Sequence, residues 1–523
     1  MYVWCKSTAW SVFKHTRMGE FDRAGQEIHT ARNMTSRWQV CLRDHMSGFE
    51  ICGVSIEPLH DDVTVCYYVQ DYGIYNDGVP YPDILTPGKP VQVLMNTTQS
   101  LVFTVFCGKQ AIPGDYTIRY TIHTSLEDIQ LETVLKVYAA ILPEPMDSDF
   151  AHEYFLNAFT GFPWRGEETT PPVTPFYGYD RYSEPWWELM KSYAGYMKLL
   201  RINVLNLHVL QLLMDGGTRK TGAQEWQFDF SILDSFVEWF LKHGSFQKMS
   251  LRGVVKQVYG KELFSIDENG KNLMIDMDGD SELAEAWIKA LFTALYDHFQ
   301  EKGWLHMVIA HLEDEPHSCE YWNWAREKLS AYMPGVPASE PIDSCGIGEG
   351  LKGCDIYIPR LEVFHQEQVF YFGRQRAGEH LWCYSCCFPE DPWWLNKFLD
   401  LPQRYSRILY WACYSQGFEG FLHWGFAHWS DTSEYGITPN AHYKGDGFIV
   451  YPDVEHNGLI LSNRGLATVE GMEEVELLRM LEKRDPEKAK EISRRIATSF
   501  RDFTEDPDML DAARAEILKN LDT

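Results

Sequence analysis

Three consecutive acidic residues are the clearest chemical signal in the sequence. Glu313, Asp314 and Glu315 stand in the segment His311-Leu-Glu-Asp-Glu-Pro-His317, immediately before Pro316. Crowded carboxylates raise one another's pKa, and burial raises it further. Under these conditions one carboxyl can stay protonated near neutral pH as a general acid while its neighbour remains ionised. A solvated acidic loop, or a helix start with Pro316 in its first turn, is the alternative.

Aromatic and imidazole side chains form a second group of candidates for a binding site. They are Trp382, Tyr384, His423, Trp424, His428 and Trp429. Their rings can stack on the apolar face of a pyranose, while phenol, imidazole and indole N–H groups bond its hydroxyls. Three polar residues are candidates for further hydrogen bonds to a sugar, namely Asn206, His208 and Asp446. A packed aromatic cap is the alternative for the rings, and an ordinary Asp-Gly turn is the alternative for Asp446.

These side chains can meet only if the segments that carry them belong to one sheet. Eight short apolar runs are predicted as strands, at 154–159, 202–208, 249–254, 306–311, 336–339, 355–358, 380–384 and 420–424. Amphipathic helices are predicted at 186–200, 230–243, 281–302, 321–332, 364–376 and 403–416. Apolar strands separated by helices imply a buried parallel sheet, and eight of them favour a (β/α)8 TIM-like barrel with its reacting groups at the C-terminal strand ends. A doubly wound sheet is the alternative, but no glycine-rich phosphate loop follows any strand.

The rest of the chain has different patterns. Short β-branched runs at 38–42, 63–70, 90–95, 99–106, 116–123 and 132–141 indicate an antiparallel β-sandwich. Charged segments at 473–483 and 486–500 predict a short C-terminal helical tail packed on the barrel. We therefore expect a sandwich domain at 1–145, a catalytic barrel at 146–472 and a helical segment at 473–523.

Composition excludes several classes of protein. The 523 residues include 47 Lys and Arg and 75 Asp and Glu, so the net charge of −28 disfavours nucleic-acid and anionic-membrane partners. No apolar run is long enough for a membrane span, and no basic segment leads into an apolar run at the N-terminus, so we expect a cytoplasmic protein. The 12 cysteines show no disulfide framework. Cys383 and Cys386 form a lone CxxC without a second pair, so we expect no metal and no cofactor.

Five motifs in the same order resemble glycoside hydrolase family 123. They are Asp314-Glu-Pro316, Trp382-Cys-Tyr-Ser-Cys-Cys387, Gly420-Phe-Leu-His-Trp-Gly425, Gly445-Asp-Gly-Phe-Ile-Val-Tyr-Pro452 and the region from Arg464 to Glu474. The resemblance covers roughly residues 150–485, and it is loosest in the last motif. It implies a barrel catalytic domain behind an N-terminal sandwich, and the activity of a retaining β-N-acetylgalactosaminidase.

The resemblance also implies roles for individual residues. Glu315 would be the general acid/base, and Asp314 would orient the 2-acetamido group of the substrate, whose carbonyl oxygen replaces an enzyme nucleophile. Tyr384 would donate to the acetamido oxygen, Trp424 or Trp382 would form the floor under the ring, and Glu313 would be a neighbour. A β-glycosidase with another sugar specificity would instead need a second carboxylate facing the acid. A non-catalytic carbohydrate-binding protein is the third hypothesis.

Overall fold

The N-terminal part of the chain forms two sheets that pack face to face. In the computed structural model, residues 1–522 are described except 21, 24, 75–77, 157–175, 253, 256, 259–261 and 430–441. The strands are β1 Tyr2–Lys6, β2 Gln26–Arg32, β3 Met34–Arg43, β4 Phe49–Ile56, β5 Val63–Ile74, β6 Pro80–Pro87, β7 Val91–Val93, β8 Thr98–Cys107, β9 Gly114–Thr124 and β10 Asp128–Ile141. One sheet contains β1-β3-β8-β5-β6, and the other has the order β2-β10-β9-β4-β7.

Large aromatic side chains fill the space between these two sheets. Trp38 stacks on Phe103 with ring centroids 5.1 Å apart, and Tyr120 lies 4.7 Å from Phe103. The predicted sandwich is therefore confirmed, with one difference from a purely antiparallel arrangement. Strand β2 pairs in parallel with β10, because residues 26–32 return to the edge of the second sheet in the same direction as that strand.

Eight parallel strands close into a barrel, as the alternation of apolar runs and helices predicts. In order they are Ala151–Tyr154, Val204–Leu207, Lys248–Arg252, Val308–His311, Ala338–Ile342, Ile356–Pro359, His380–Ser385 and Gly420–His423. The first strand pairs with both the second and the eighth, which closes the ring and removes the doubly wound alternative. It also begins earlier than predicted, and positions 157–159 of the predicted strand lie outside the described residues.

Helices surround the barrel close to the predicted positions. Those of the barrel are Glu184–Leu199, Val209–Gly216, Ser231–His243, Ser281–Glu301, Cys319–Tyr332, Ile347–Gly350, Leu361–Gln366, Gln368–Ala377 and Arg404–Ser415. The single helix predicted at 364–376 is two helices, because the backbone leaves helical geometry at Glu367. Two small sheets, formed by Arg219–Gly222 with Glu225–Gln227 and by Gln257–Val258, Glu262–Ile266 and Asn272–Asp276, are absent from the prediction.

The interior of the barrel is apolar toward the N-terminal ends of its strands and polar toward their C-terminal ends. Val204, Ile309, Ile356 and Leu422 belong to one buried cluster formed by inward residues of several strands. Along the same faces stand fully buried polar side chains, Glu153, Asn206, Ser250 and His311. Charged and hydrogen-bonding groups therefore concentrate toward the C-terminal ends of the strands, where the acidic loop also begins.

The chain after the barrel returns to the sandwich. Strands Val450–Asp453 and Gly458–Ser462 form a hairpin, and the second pairs with β6, so the first sheet has seven strands. The helix Asn463–Glu482 follows directly, and the expected boundary at 472/473 falls inside it. Helices Pro486–Ile496 and Asp508–Asp522 complete the chain.

Charges on the helix Asn463–Glu482 are buried instead of forming the surface of a tail. Arg37 of β3 donates to Glu470 at 2.8 Å. Arg407 of the last barrel helix donates to Glu474 at 3.0 Å, and Arg514 of the final helix donates to the same carboxylate at 2.8 Å. This helix therefore joins the sandwich, the barrel and the C-terminal segment through buried ion pairs.

None of the helices in the described ranges is long and apolar enough to cross a lipid bilayer.

Candidate active site

The acidic loop after the fourth barrel strand has a strained backbone. Asp314 and Glu315 have φ angles of +89° and +60°, in the left-handed region that non-glycine residues avoid at a cost of about 1–3 kcal/mol each. The buried carboxylate of Glu340, in the fifth strand, accepts the N–H of Glu313 at 3.1 Å and that of Asp314 at 2.7 Å. Burial raises the pKa of Glu340 to about 7, and these hydrogen bonds favour its ionised form. Each contributes about 1.5–3 kcal/mol when the acceptor is charged, which is comparable with the backbone strain.

Two basic side chains lie beside the carboxylate of Asp314. Arg252, at the end of the third strand, donates from Nη2 to Oδ2 at 3.0 Å, and its guanidinium stacks 3.6 Å from the ring centroid of Phe155. Nε2 of the buried His311 lies 3.5 Å from Oδ1. Burial acts to lower the pKa of His311, but Asp314, Glu340 and Glu153 outweigh it and raise that pKa above its ordinary value. This environment stabilises the charged form of Asp314.

Glu315 experiences the opposite environment. Burial raises the pKa of its carboxyl, and the charges of Asp314 and Asp343 raise it further. The hydroxyl of Tyr384, at the end of the seventh strand, donates to Oε1 at 2.5 Å and offsets only part of this rise. A carboxyl with a raised pKa beside an ionised carboxylate is the arrangement of a general acid with an anionic helper.

A second buried carboxylate orients the aromatic residues after the eighth strand. Asp446 accepts the indole N–H of Trp424 at 2.5 Å, and its Oδ1 lies 2.9 Å from Nε2 of His423. Because Nδ1 of His423 accepts the N–H of Gly425 at 3.1 Å, Nε2 carries the proton and donates to Asp446. The rings of Trp424 and His428 lie 5.2 Å apart. Trp424 also packs on the apolar cluster that contains Tyr384. The ring pair of Trp424 and His428, which we call the aromatic platform, therefore adjoins the acidic loop.

Four other predicted binding residues have buried side chains. Trp382 is two residues below Tyr384 on the same face of its strand and packs on Gly420 inside the barrel. Trp429 is 4 % exposed, and its indole N–H donates to the carbonyl of Val450, in the strand Val450–Asp453 that follows the barrel. Asn206 and His208 are buried at the second strand, where the amide of Asn206 donates to Glu153 at 2.9 Å. Of the three candidate indoles, Trp424 is half-buried, whereas Trp382 and Trp429 are buried.

Sequence reasoning missed three residues that shape the loop, Arg252, His311 and Glu340. Arg252 lay inside the strand predicted at 249–254, and the strand predicted at 336–339 stopped one residue before Glu340. The available signal was a charged residue at the C-terminal end of an otherwise apolar barrel strand. His311 stood in the acidic motif and carried the same signal.

The cysteines of the CxxC do not converge on one point. The sulfur of Cys383 lies 3.6 Å from that of Cys413, whereas the sulfur of Cys386 lies 3.9 Å from that of Cys387. Within the described ranges, no group of three or more His, Cys, Asp or Glu side chains is arranged to hold a metal ion.

A barrel with two adjacent carboxyl groups after its fourth strand and aromatic side chains after its eighth is compatible with a glycoside hydrolase. Comparison with known proteins agrees with this class. The family model for the catalytic domain of glycoside hydrolase 123 matches residues 171–481, more than half of the chain. The chain therefore belongs to glycoside hydrolase family 123, and it is an enzyme that acts on a carbohydrate.

The fold matches a solved member of this family over its full length. A family 123 glycoside hydrolase from Clostridium perfringens, described for glycolipid glycan hydrolysis, is 14 % identical with a TM-score of 0.75, and the match covers 99 % of this chain and 98 % of that one. A GH10 xylanase with a bacterial Ig-like domain, from termite gut, is 8 % identical over 87 % of this chain and all of its own, with a TM-score of only 0.36. The search of curated proteins gives no significant match.

Proposed function

We propose that this enzyme is a retaining, substrate-assisted exo-β-N-acetylhexosaminidase that prefers terminal β-linked GalNAc. The proposal depends on one observation, namely that the adjacent acids Asp314 and Glu315 lie in opposite electrostatic environments. Asp314 is held between Arg252 and His311, whereas Glu315 is half-buried with a raised pKa and bonded to Tyr384. An ordinary retaining glycosidase needs its two carboxylates on opposite sides of the scissile bond. Adjacent carboxylates suit a substrate that supplies its own nucleophile.

In the first step, the acetamido oxygen attacks the anomeric carbon from within the same sugar. Asp314 accepts a hydrogen bond from the acetamido N–H, which orients the group and stabilises the positive charge that develops on it. Glu315 donates its proton to the glycosidic oxygen, and the aglycone leaves as an alcohol. The product of this step is a bicyclic oxazolinium ion, with Glu315 now ionised.

In the second step, Glu315 acts as the base. It takes a proton from water, whose oxygen attacks the anomeric carbon and breaks the bond to the acetamido oxygen. Two inversions give net retention, and both acids return to their starting states. Trp424, oriented by Asp446, supports the sugar face through the two steps.

Chromogenic β-GalNAc and β-GlcNAc glycosides test the proposal directly. We expect the wild type to hydrolyse β-GalNAc faster than β-GlcNAc and to release the β-anomer first, as seen by proton NMR. Glu315→Gln and Asp314→Asn should each lose most of the activity, whereas Glu320→Gln, at an exposed position nearby, should keep it. A GalNAc-thiazoline, which mimics the bicyclic intermediate, should inhibit competitively. A wild type that is inert on all 2-acetamido glycosides would refute the proposal.

Glycolipid glycans are the natural substrates to test next. The Clostridium perfringens enzyme with the matching fold is described for their hydrolysis. We infer that this chain removes a terminal β-GalNAc from such a glycan. Mass spectrometry of a glycolipid with that terminus should show the loss of one N-acetylhexosamine, and an unchanged mass would leave only small glycosides as substrates.

The position of Asp343 favours one alternative function, that of a β-glycosidase with a nucleophile of its own. Its charge reaches Glu315, and it stands just after the fifth strand, so it is a candidate nucleophile for a double displacement on a sugar without an acetamido group. In that case Asp343→Asn would be inactive and rescued by azide, and the thiazoline would not inhibit. Substrate assistance predicts an active Asp343→Asn variant.

A further inference from the structure

Glu340 lies beneath the acidic loop and contacts its backbone directly. It is fully buried in the fifth barrel strand, and its two oxygens accept three N–H groups. Oε1 accepts from Asp314 at 2.7 Å, and Oε2 accepts from Glu313 at 3.1 Å and from the indole of Trp322 at 2.8 Å. We propose that Glu340 is a positioning residue that holds Asp314 and Glu315 in the left-handed backbone conformation in which they act. The inference rests on the function proposed above.

The backbone of the acidic loop explains why it must be held in place. We call the hydrogen bonds from Glu313, Asp314 and Trp322 to Glu340 the Glu340 clamp. Asp314 and Glu315 both have positive φ, and neither is a glycine, so the loop would relax toward ordinary backbone angles if nothing held it. The φ angle of Asp314 is a rotation about the bond that follows its N–H group. Glu340 accepts the N–H groups of Glu313 and Asp314 and so fixes the two peptide planes on either side of Glu313, the second of which is the plane from which the φ rotation of Asp314 starts.

Neighbouring elements complete the clamp. Trp322 belongs to the helix Cys319–Tyr332, which begins after the acidic loop, and its bond to Glu340 secures the carboxylate from that side. Only a carboxylate can accept at both of its oxygens. Glutamine in the same place would keep one acceptor and turn an N–H group toward one of the donors, so that at least one of the three bonds would be lost.

A second effect of Glu340 is electrostatic and passes through His311. Oε1 of Glu340 lies 3.9 Å from Nε2 of His311, and the same nitrogen lies 3.5 Å from Asp314. The other carboxylate that acts on His311 is Glu153, on the first strand. In its ionised form Glu340 favours the imidazolium form of His311, and the imidazolium in turn attracts the carboxylate of Asp314. Glu340 therefore supports Asp314 through both backbone and charge.

The variant Glu340→Gln separates a positioning role from a merely structural one. We expect kcat/KM for a chromogenic β-GalNAc glycoside to fall about 100-fold per folded molecule, mostly in kcat, because a displaced catalytic pair loses its alignment with the transition state. The backbone amide of Asp314 should exchange faster with deuterium, and the pKa of His311, followed by NMR, should fall. Glu476→Gln is the matched control, since Glu476 is also a buried glutamate but lies on the helix Asn463–Glu482.

Each outcome bears on the proposal. A folded Glu340→Gln enzyme with kcat/KM close to wild type, or with an unchanged exchange rate at Asp314, would overturn it. If Glu340→Gln does not fold, Trp322→Phe removes one donor to the same carboxylate, and we expect a smaller fall in kcat with little change in KM. Wild-type kinetics in Trp322→Phe would then overturn the clamp.

Failure of the proposed function would look different. A wild type that is inert on β-GalNAc glycosides would refute the activity. The exchange rate of the Asp314 amide and the pKa of His311 would still report on the clamp, because neither measurement needs a substrate.

Discussion

The hydrogen bond from Tyr384 to Glu315 influences how readily the proposed general acid loses its proton. The phenol donates to the carboxylate at 2.5 Å, which stabilises the ionised form and lowers a pKa that burial and Asp314 raise. Replacing Tyr384 with Phe removes the donor, so the pKa of Glu315 should rise further. A hydrogen bond to a charged group contributes about 1.5–3 kcal/mol, and 1.36 kcal/mol corresponds to about one pKa unit. The expected rise is therefore about 1–2 units.

The pH profile of kcat/KM measures this rise. A general acid must be protonated in the free enzyme, so the alkaline limb of the profile follows its pKa. In Tyr384→Phe the alkaline limb should move to higher pH by about 1–2 units, whatever happens to the maximal rate. Tyr357→Phe is the matched control, because that buried phenol donates to the carbonyl of Leu351 and lies outside the site. An alkaline limb that stays in place, or moves to lower pH, would refute the role of Glu315 as acid.

Three further predictions concern charged side chains in the site and in the core. Arg252→Met removes the 3.0 Å ion pair with Asp314, and we expect kcat/KM to fall about 10-fold or more; an unchanged value would contradict a role for this pair. Glu474→Gln leaves the buried Arg407 without its main partner, so the free energy of unfolding should fall by about 3–5 kcal/mol, and an unaltered urea midpoint would speak against it. Burial lowers the pKa of Lys397 to about 7, so above this pH the unfolded chain binds more protons than the folded one. The stability of the wild type relative to Lys397→Met should therefore rise by about 2 kcal/mol between about pH 7 and pH 9, and no rise would refute the shifted pKa.

The strands and the acidic loop were predictable because their signals are local. Each barrel strand is a short apolar run, since both of its faces are covered, and such runs are visible in the sequence. Asp314 and Glu315 stand where the fourth run ends, so the barrel architecture alone places them at the catalytic rim. Tyr384 ends the seventh run in the same way, and its contact with Glu315 agrees with that placement.

The depth of a residue within the barrel was not predictable from the same pattern. Trp382 and Tyr384 face the same side of one strand, two residues apart. Which of them reaches the rim depends on how far that strand is shifted along the barrel axis relative to its neighbours, a property of the closed sheet. Trp382 is consequently part of the interior, although its residue type suits a sugar platform equally well.

The helix Asn463–Glu482 shows a similar limit to what the sequence can predict. The acids of the segment that includes Glu470 and Glu474 have the composition of a solvated surface, but their arginine partners come from positions 37, 407 and 514. Ion pairs between residues so far apart in the sequence cannot be predicted from local charge patterning. The pattern shows neither which arginine pairs with an acid nor whether that acid is buried.

Local periodicity and residue type therefore determine that this chain forms a sandwich and a barrel, and that two adjacent acids end a barrel strand. Tertiary structure decides how those acids differ. Asp314 and Glu315 are neighbours with almost the same chemistry, and the surrounding groups give them the opposite environments on which their proposed roles as anion and proton donor rest. Arg252, Glu340 and Tyr384 reach the loop from three other strands, and their charges and hydrogen bonds act through space at distances that no sequence separation specifies.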